Sequence, residues 1–377
     1  MESLNPSGLL TLDFDDPDSA AGEAARFARL HPIAAVLGVD ERTAVVAAAV
    51  AERLALPHDT VGAVRAAGNK SLLRNALTAA GVPSPASRRF SLDDDPRAAC
   101  ALVRFPCVLK PTFLAASRGV IRADGEDAFA AAWHRIAAIL SDPDLARRGG
   151  AAARELLVED FVPGAEVSLE GLLTRGRLRL LALFDKPDPL DGPFFEETIY
   201  VTPSRRTEAA QRSVRECAAA AAAALGLRDG PVHAELRLGR DEWGRDRAWM
   251  IEIAARSIGG LCSRTLTFGT GMSLEEIILR HALALPIASL ERERRAAGVM
   301  MIPIPGRGVL EEVAGLDEAR AVPHVEDVVI SIHKGQEVVP LPEGSRYLGF
   351  IFSRADTPAD AEAALRLAHR RLRFSIV

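Results

Sequence analysis

Apolar residues recur along this chain in two rhythms. Where they fall on every second position, as in PVHAELRL (231–238), a strand is predicted with His233, Glu235 and Arg237 on one face and Ala234, Leu236 and Leu238 on the other. Where they fall three and four apart, as in EDAFAAAWHRIAAIL (126–140) and the alanine-rich stretch 208–225, amphipathic helices are predicted. The opening stretch pairs the short apolar runs LLTLDF and IAAVLGV with helices ending near Leu30 and Leu54, a βαβα order that predicts a small open sheet. From about Pro83 a second unit follows, with RRFSL, CVLKP, GVIRA and ELLVEDF as strands. A third has LEGLLT and LRLLALFDKP as a hairpin about Arg175 and Gly176, then the helix 208–225, then two strands around a polar turn. Ser273 with Glu276 reads as a capping box at a helix start. Beyond Pro286, short strands between Gly/Pro turns (VMMIPIPGRGV, VEDVVISIHKG) precede a closing helix near 357–373. No internal repeat or low-complexity linker interrupts this order.

The second strand of the later pair, WMIEIAARSIGG (249–260), breaks its apolar rhythm with Glu252 and Arg256. Strict alternation places Met250, Glu252, Ala254 and Arg256 on one face and turns Ile251 and Ile253 away. With the turn centred on Trp243-Gly244, Glu235 and Glu252 lie directly opposite each other in an antiparallel hairpin. Two like charges there repel. A hard divalent cation between them makes the pairing tolerable, and carboxylates hold Mg²⁺ in this way beside nucleotide phosphates. The alternative is an ordinary salt bridge from each, with Arg237 and Arg256 as partners. A separate loop, VLKPTFLAASRGVIRA (108–123), joins two strands through a lysine and a Ser-Arg-Gly tip. It reads either as a phosphate-contacting loop or as a surface hairpin, and neither GxxxxGK[ST] nor a GxGxxG at a strand–helix junction is present.

Composition narrows the field. A net charge of −5 leaves no electrostatic footprint for nucleic acid or an anionic membrane. No apolar run approaches a bilayer span, and MESLNPSGLL lacks the pattern of a secretory leader. Cys100, Cys107, Cys217 and Cys262 show no pairing pattern, which fits a reducing cytoplasm, and the dispersed histidines speak against zinc. Of 46 basic residues only four are lysines, Lys70, Lys110, Lys186 and Lys334. A lysine surviving amid so much arginine marks a position where a compact ammonium fits and a planar guanidinium does not, or else chance on a solvated face.

Taken in order, these segments resemble the ATP-grasp superfamily, and within it the carboxylate–amine ligases that include L-amino acid ligases and carnosine-synthase-like enzymes. The likeness runs from about Ile33 to the C-terminus. GNKSLLRNALTAAGVPSP looks like the family's first lysine segment, which implies that Lys70 reaches an ATP phosphate. FPCVLKP looks like the second, which implies Lys110 at the α/β-phosphates or the adenine edge. Ser117, Arg118 and Gly119 would form the loop over the phosphates. LLVEDFVPGAEVSLEG looks like the hinge: Glu159, Asp160, Phe161 and Val162 flank the adenine, the last two through backbone groups, and Glu166 meets the ribose. HAELRL followed by IEIAARSIGG looks like the metal pair, Glu235 and Glu252, with Arg256 on the transferred phosphate or the acyl phosphate. LFDKPDPLDGPFFEETIYVTPS adds Lys186 near the phosphates and, for substrate, Glu197 and Tyr200. His233 orients substrate or is simply satisfied by a neighbouring backbone group, and Gly259 and Gly260 open the specificity pocket. Lys334 reads as a surface turn residue.

The resemblance implies an α/β (α+β) fold. An N-terminal βαβ pre-ATP-grasp domain spans 1–68, and the ATP-grasp domain spans 69–295 with its lid subdomain at about 85–162 and a large antiparallel sheet. A C-terminal α+β domain spans 296–377. It also implies a Mg-ATP-dependent ligase, with Mn²⁺ as an alternative metal. Such an enzyme joins a small amino-acid-like carboxylate to an amine through an acyl phosphate, and dimers are usual in the superfamily. Three departures stand out. Ala254 replaces the asparagine of the common E-x-N motif, as in the amino acid ligase branch; Phe113 to Ala116 replace a glycine-rich loop; and the chain starts late, so the first sheet is expected to lack an edge strand. Other readings of the same residues are a biotin-carboxylase-like or purine-pathway enzyme, and a nucleotide-binding protein without catalysis.

Overall fold

A computed structural model describes residues 10–241 and 243–377. Four helices open the chain: α1 (Pro17–Ala28), α2 (Glu41–Arg53), α3 (Val61–Ala67) and α4 (Lys70–Ala79). Each start is chemically marked. Asp16, Asp40, Thr60 and Asn69 cap them with side-chain acceptors, and Asp40 shares a reciprocal box with Thr43. The strands expected from LLTLDF and IAAVLGV do not form over the described residues 10–14 and 33–39, and Leu9 lies outside them. Their apolar residues serve instead as packing: Leu12 and Val36 close the small core between α1 and α2. A strand needs a ladder partner for its N–H and C=O groups, and no neighbouring strand is within reach among the described residues.

The second unit carries a four-stranded sheet, β1 (Ser87–Ser91), β2 (Cys107–Pro111), β3 (Ile121–Ala123) and β4 (Glu155–Asp160), in the order β1-β4-β2-β3. Helix α5 (Pro96–Cys100) and the paired α6 (Glu126–Leu140) and α7 (Pro143–Gly149) flank it. Phe129, Trp133 and Ile136, one helical stripe, are buried against Cys107, Leu109 and Leu156.

The main sheet starts with the hairpin β5 (Ala165–Thr174) and β6 (Arg177–Lys186). Arg175 and Gly176 form its two-residue turn, both with positive φ (52° and 79°), the conformation that matches strand twist. Next come β7 (Ile199–Thr202), α8 (Glu208–Leu225), β8 (Gly230–Arg240) and β9 (Asp246–Ala254), then the short pair β10 (Thr267–Phe268) and β11 (Met272–Ser273), and α9 (Leu274–Ala282), capped by Ser273. The last part holds β12 (Ala296–Ile302), β13 (Gly308–Ala314), α10 (Leu316–Arg320), β14 (Val325–Ile330), β15 (Glu337–Val338), β16 (Gly349–Ala355), α11 (Pro358–His369) and β17 (Arg373–Ile376). Eight strands join in one antiparallel sheet, β14-β16-β12-β7-β6-β5-β8-β9, which runs without a break past position 296 through the β7–β12 pairing.

Along β5, period-two alternation sets the division of labour. Val167 and Leu169 face the core under α8, α3 and α4, while Glu166, Ser168 and Glu170 face the other way. That second face is the floor of a cleft.

Candidate functional site

Cross-strand register builds the floor in rows. Lys186, Glu166 and Arg237 are direct neighbours across β6, β5 and β8; Ser168, Glu235 and Glu252 across β5, β8 and β9; Glu170 and His233 across β5 and β8. The expected pairing of Glu235 opposite Glu252 is present. The strict alternation expected of β9 is not: a bulge at Ile251 shifts the register, so Met250 pairs with Leu236 in the core and Ile251 turns into the cleft beside Glu252. Bulges re-aim side chains in this way, often beside functional sites.

Neither carboxylate is paired off by an arginine. Glu235 lies 3.4 Å from Lys186 Nζ and 3.5 Å from His233 Nε2, and Glu252 lies 3.1 Å from Lys70 Nζ. The two arginines weighed as salt-bridge partners are engaged elsewhere. Arg237 Nε donates to Glu166 (3.0 Å), and Arg256 grips Glu41 at the start of α2. Lys186 also holds Glu166 at 2.8 Å and Glu197 at closer range. Although it is partly buried, Glu235 stays well below the ordinary carboxylate range because Lys186 and then His233 favour its charge. Burial, and then the charge of Glu235, push Glu197 up to about 7. His233 is not satisfied by backbone. It bonds the fully buried Glu170, which outweighs the effect of burial and raises the imidazole to about 9.

A second buried set lies under the expected adenine segment. Lys110 Nζ is 2.6 Å from Glu159 Oε2, and Arg74 Nε is 2.7 Å from Glu159 Oε1. Arg74 is 1% exposed and Glu159 2%, so this is an interior ion triad. Burial lowers Lys110, whereas the two cations hold Glu159 down against burial. Asp160, at the rim of the cleft, pairs with Arg104. The N–H of Phe161 donates to Pro106 (3.0 Å) and the carbonyl of Val162 accepts from Arg237 (3.2 Å). The carbonyl of Phe161 and the N–H of Val162, the two ends of one peptide unit, have no partner among the described residues. The Phe161 ring is stacked between Arg122 and Arg237 at 4.2 and 5.1 Å.

The loop after β2 has an anchored base and a strained tip. Leu114 is buried in the second unit's core, and its carbonyl accepts from Lys70 Nζ at 2.7 Å. Ala116 and Ser117 both have φ of 54°, left-handed backbone that costs an L-residue about 1–2 kcal/mol. Ser117 faces the cleft; Arg118 turns instead into a separate cavity against the C-terminal part. Gly119 (φ 72°) donates to Pro342, and a Cβ there would lie 2.7 Å from Pro111 Cγ. Tyr200, beneath Lys186 at 5.1 Å, and Gly259 and Gly260 complete the cleft, together with an apolar end made by Met301, Tyr347 and Phe350. The cavity is about 340 Å³ and contains every residue named from the sequence except Arg118, Gly119 and Lys186, the last held just beneath it.

Three charged side chains that bond residues named from the sequence escaped sequence reading. Glu170 had a signal, a lone acid in an apolar run. Arg74 had one too, four residues after Lys70 on the same helix face. Glu41 had none, because its partner is 215 positions away. The carboxylates of Glu166, Glu197 and Glu235 bring ligand oxygens within 4.8 Å of one another. The chemistry of this all-oxygen donor set fits a hard divalent cation, and Glu252, the other expected ligand, lies outside it.

Residues 103–265 match the ATP-grasp domain model, and residues 300–377 match the L-amino acid ligase C-terminal domain 2. The chain is similar to alanine–anticapsin ligase of Bacillus subtilis, 28% identical over 299 residues, 74% of this chain and 62% of that protein. It thus spans less than two thirds of that relative. The crystal structure of an L-amino acid ligase from Bacillus licheniformis superposes with a TM-score of 0.79 at 26% identity, covering 97% of this chain and 86% of that one. A biotin carboxylase domain from Hydrogenobacter thermophilus, solved with MgADP and bicarbonate, shares the fold at 16% identity and a TM-score of 0.65, over 98% and 81% of the two chains. Two matched domains, a superposition along almost the whole length and a cleft floored by carboxylates and ammoniums lead to one assignment: the chain carries an ATP-grasp domain and is similar to the L-amino acid ligases.

Proposed function

We propose that this protein is a Mg-ATP-dependent carboxylate–amine ligase acting on small amino-acid-like substrates, with an acyl phosphate as the activated acid. One observation carries the reading: Glu235 and Glu252 face each other across one ladder, each beside an ammonium and neither bonded to a guanidinium. One free end of the peptide joining Phe161 and Val162 would meet the edge of an aminopurine, since the two ends of a trans peptide point in opposite directions. Lys70 and Lys110 would meet phosphate oxygens, and Glu166 the ribose. Glu235 and Glu252, with Glu197 close by, would hold Mg²⁺, which when bound neutralises charge on the transferring phosphoryl group.

A carboxylate resists amines because its leaving group would be an oxide. Phosphorylation gives it a good one, and the amine then displaces phosphate. The chain's own residues serve this chemistry by position and charge: Arg256 and Lys186 stabilise the developing negative charge, and the second unit covers the cleft so that water does not consume the acyl phosphate. Paired amino acids incubated with Mg-ATP should release ADP and phosphate only when acid and amine are both present, with a condensed product detectable by mass. Glu252→Ala should reduce that turnover at least about a hundredfold. Undiminished turnover in this variant would sink the metal assignment.

A further inference from the structure

The guanidinium assigned to the activated acid already holds a carboxylate, and it belongs to the N-terminal helices. Arg256 places both Nε (2.9 Å) and Nη2 on a single oxygen of Glu41, Oε1, while its Nη1 donates to the carbonyl of Ser257 at 2.7 Å. Glu41 Oε2 has no side-chain donor among the described residues. Both side chains line the cleft and are half-buried, at 13% and 24% exposure. Around them, Lys70 is committed to Glu252 and Leu114, so among the described residues Arg256 is the one cation bonded to Glu41.

Were Arg256 to turn to a substrate carboxylate, Glu41 would be left charged and half-buried without a partner. An uncompensated charge in such a place is strongly unfavourable. A simple carboxylic acid brings only the anion and leaves that deficit standing. A zwitterion brings both signs: its carboxylate replaces Glu41 on Arg256, and its ammonium replaces Arg256 on Glu41. We propose that Glu41 is a specificity-determining residue that binds the α-ammonium of the acid substrate, so that the Glu41–Arg256 pair opens for α-amino acids and rejects their des-amino counterparts. This rests on the ligase reading of the cleft and deepens it.

The test pairs L-alanine with propionate, L-leucine with 4-methylpentanoate and L-phenylalanine with 3-phenylpropionate. Each is measured two ways on the whole protein: ADP release with Mg-ATP and a common amine, and thermal shift with Mg-ADP. The wild type should favour at least one amino acid over its partner in both. Glu41→Gln should shrink that preference about 10- to 100-fold, the worth of a charge-assisted hydrogen bond. Glu41→Asp, which keeps the charge, should retain part of it. If Glu41 merely props Arg256, Glu41→Gln will depress amino acid and des-amino acid alike and leave the ratio unchanged, which overturns the proposal. Equal binding of each pair by the wild type, or binding of none, also overturns it. Selective binding with no ADP release would leave the role of Glu41 standing and count against the ligase reading alone.

Discussion

At the scale of single residues, Glu159 is the clearest case of charge held where water cannot help. It sits between Lys110 and Arg74, all three in the interior. Removing one member of a buried ionic set leaves the others uncompensated, at about 3–5 kcal/mol. Glu159→Gln should therefore lower the unfolding free energy by an amount of that order, whether or not nucleotide is present. A loss under about 1 kcal/mol in urea melts would mean that the triad is less costly to break than its burial implies. The lysines of this and the neighbouring cluster were legible in the sequence because so few lysines remain. Arg74 was masked by the opposite circumstance: in an arginine-rich chain one more arginine does not stand out, and only its spacing from Lys70 marks it. Glu41 and Arg256 could not be paired from sequence at all, since nothing local says which of the many acids a distant guanidinium will meet.

Elements were read best where one local rule decides them. The helices 126–140 and 208–225 begin and end where the apolar period does; Glu235 faces Glu252 as expected, but Arg240 pairs with Asp246, which centres the turn on Trp243, and the bulge supplies the one-residue shift. The bulge at Ile251 was illegible, because an extra apolar residue in an apolar strand leaves the pattern intact to the eye. The opening runs misled for a different reason. Hydrophobicity records that a segment is packed, but a strand exists only with a partner, which a single segment does not specify. The second unit is tied to the C-terminal part by an exposed two-point pair, Arg135 with Glu343 (2.6 and 3.0 Å), and by Gly119 N–H to Pro342 at 2.9 Å. Exposed pairs contribute about 0–1 kcal/mol, so Arg135→Ala should barely move the melting temperature. As a tether on the cover of the cleft it should matter more: release of a fluorescent ADP analogue in stopped flow should be several-fold faster. An unchanged off-rate would show that this pair does not restrain the cover.

For the molecule as a whole, stability should depend on pH through His233. Its folded value of about 9 lies above the ordinary 6.5, so the folded state binds the proton more tightly than the unfolded one. The associated stabilisation is complete below about 6.5 and is lost as pH rises through about 9. Glu197, raised to about 7, acts in the same direction at lower pH. Melting temperatures of the nucleotide-free protein should accordingly fall between pH 6.5 and 9, and fall less steeply in His233→Gln. A flat wild-type profile over that interval would refute the link between His233 and Glu170. The eight-stranded sheet has a broader implication. Because the ladder between Ile199–Thr202 and Ala296–Ile302 welds the phosphate-handling half to the half that supplies Met301, Tyr347 and Phe350, the two cannot drift apart as independent modules. Exchange of C-terminal segments among relatives, in evolution or at the bench, is thus constrained by backbone registry along that seam, whereas the side chains walling the cleft's apolar end are free to diversify one at a time.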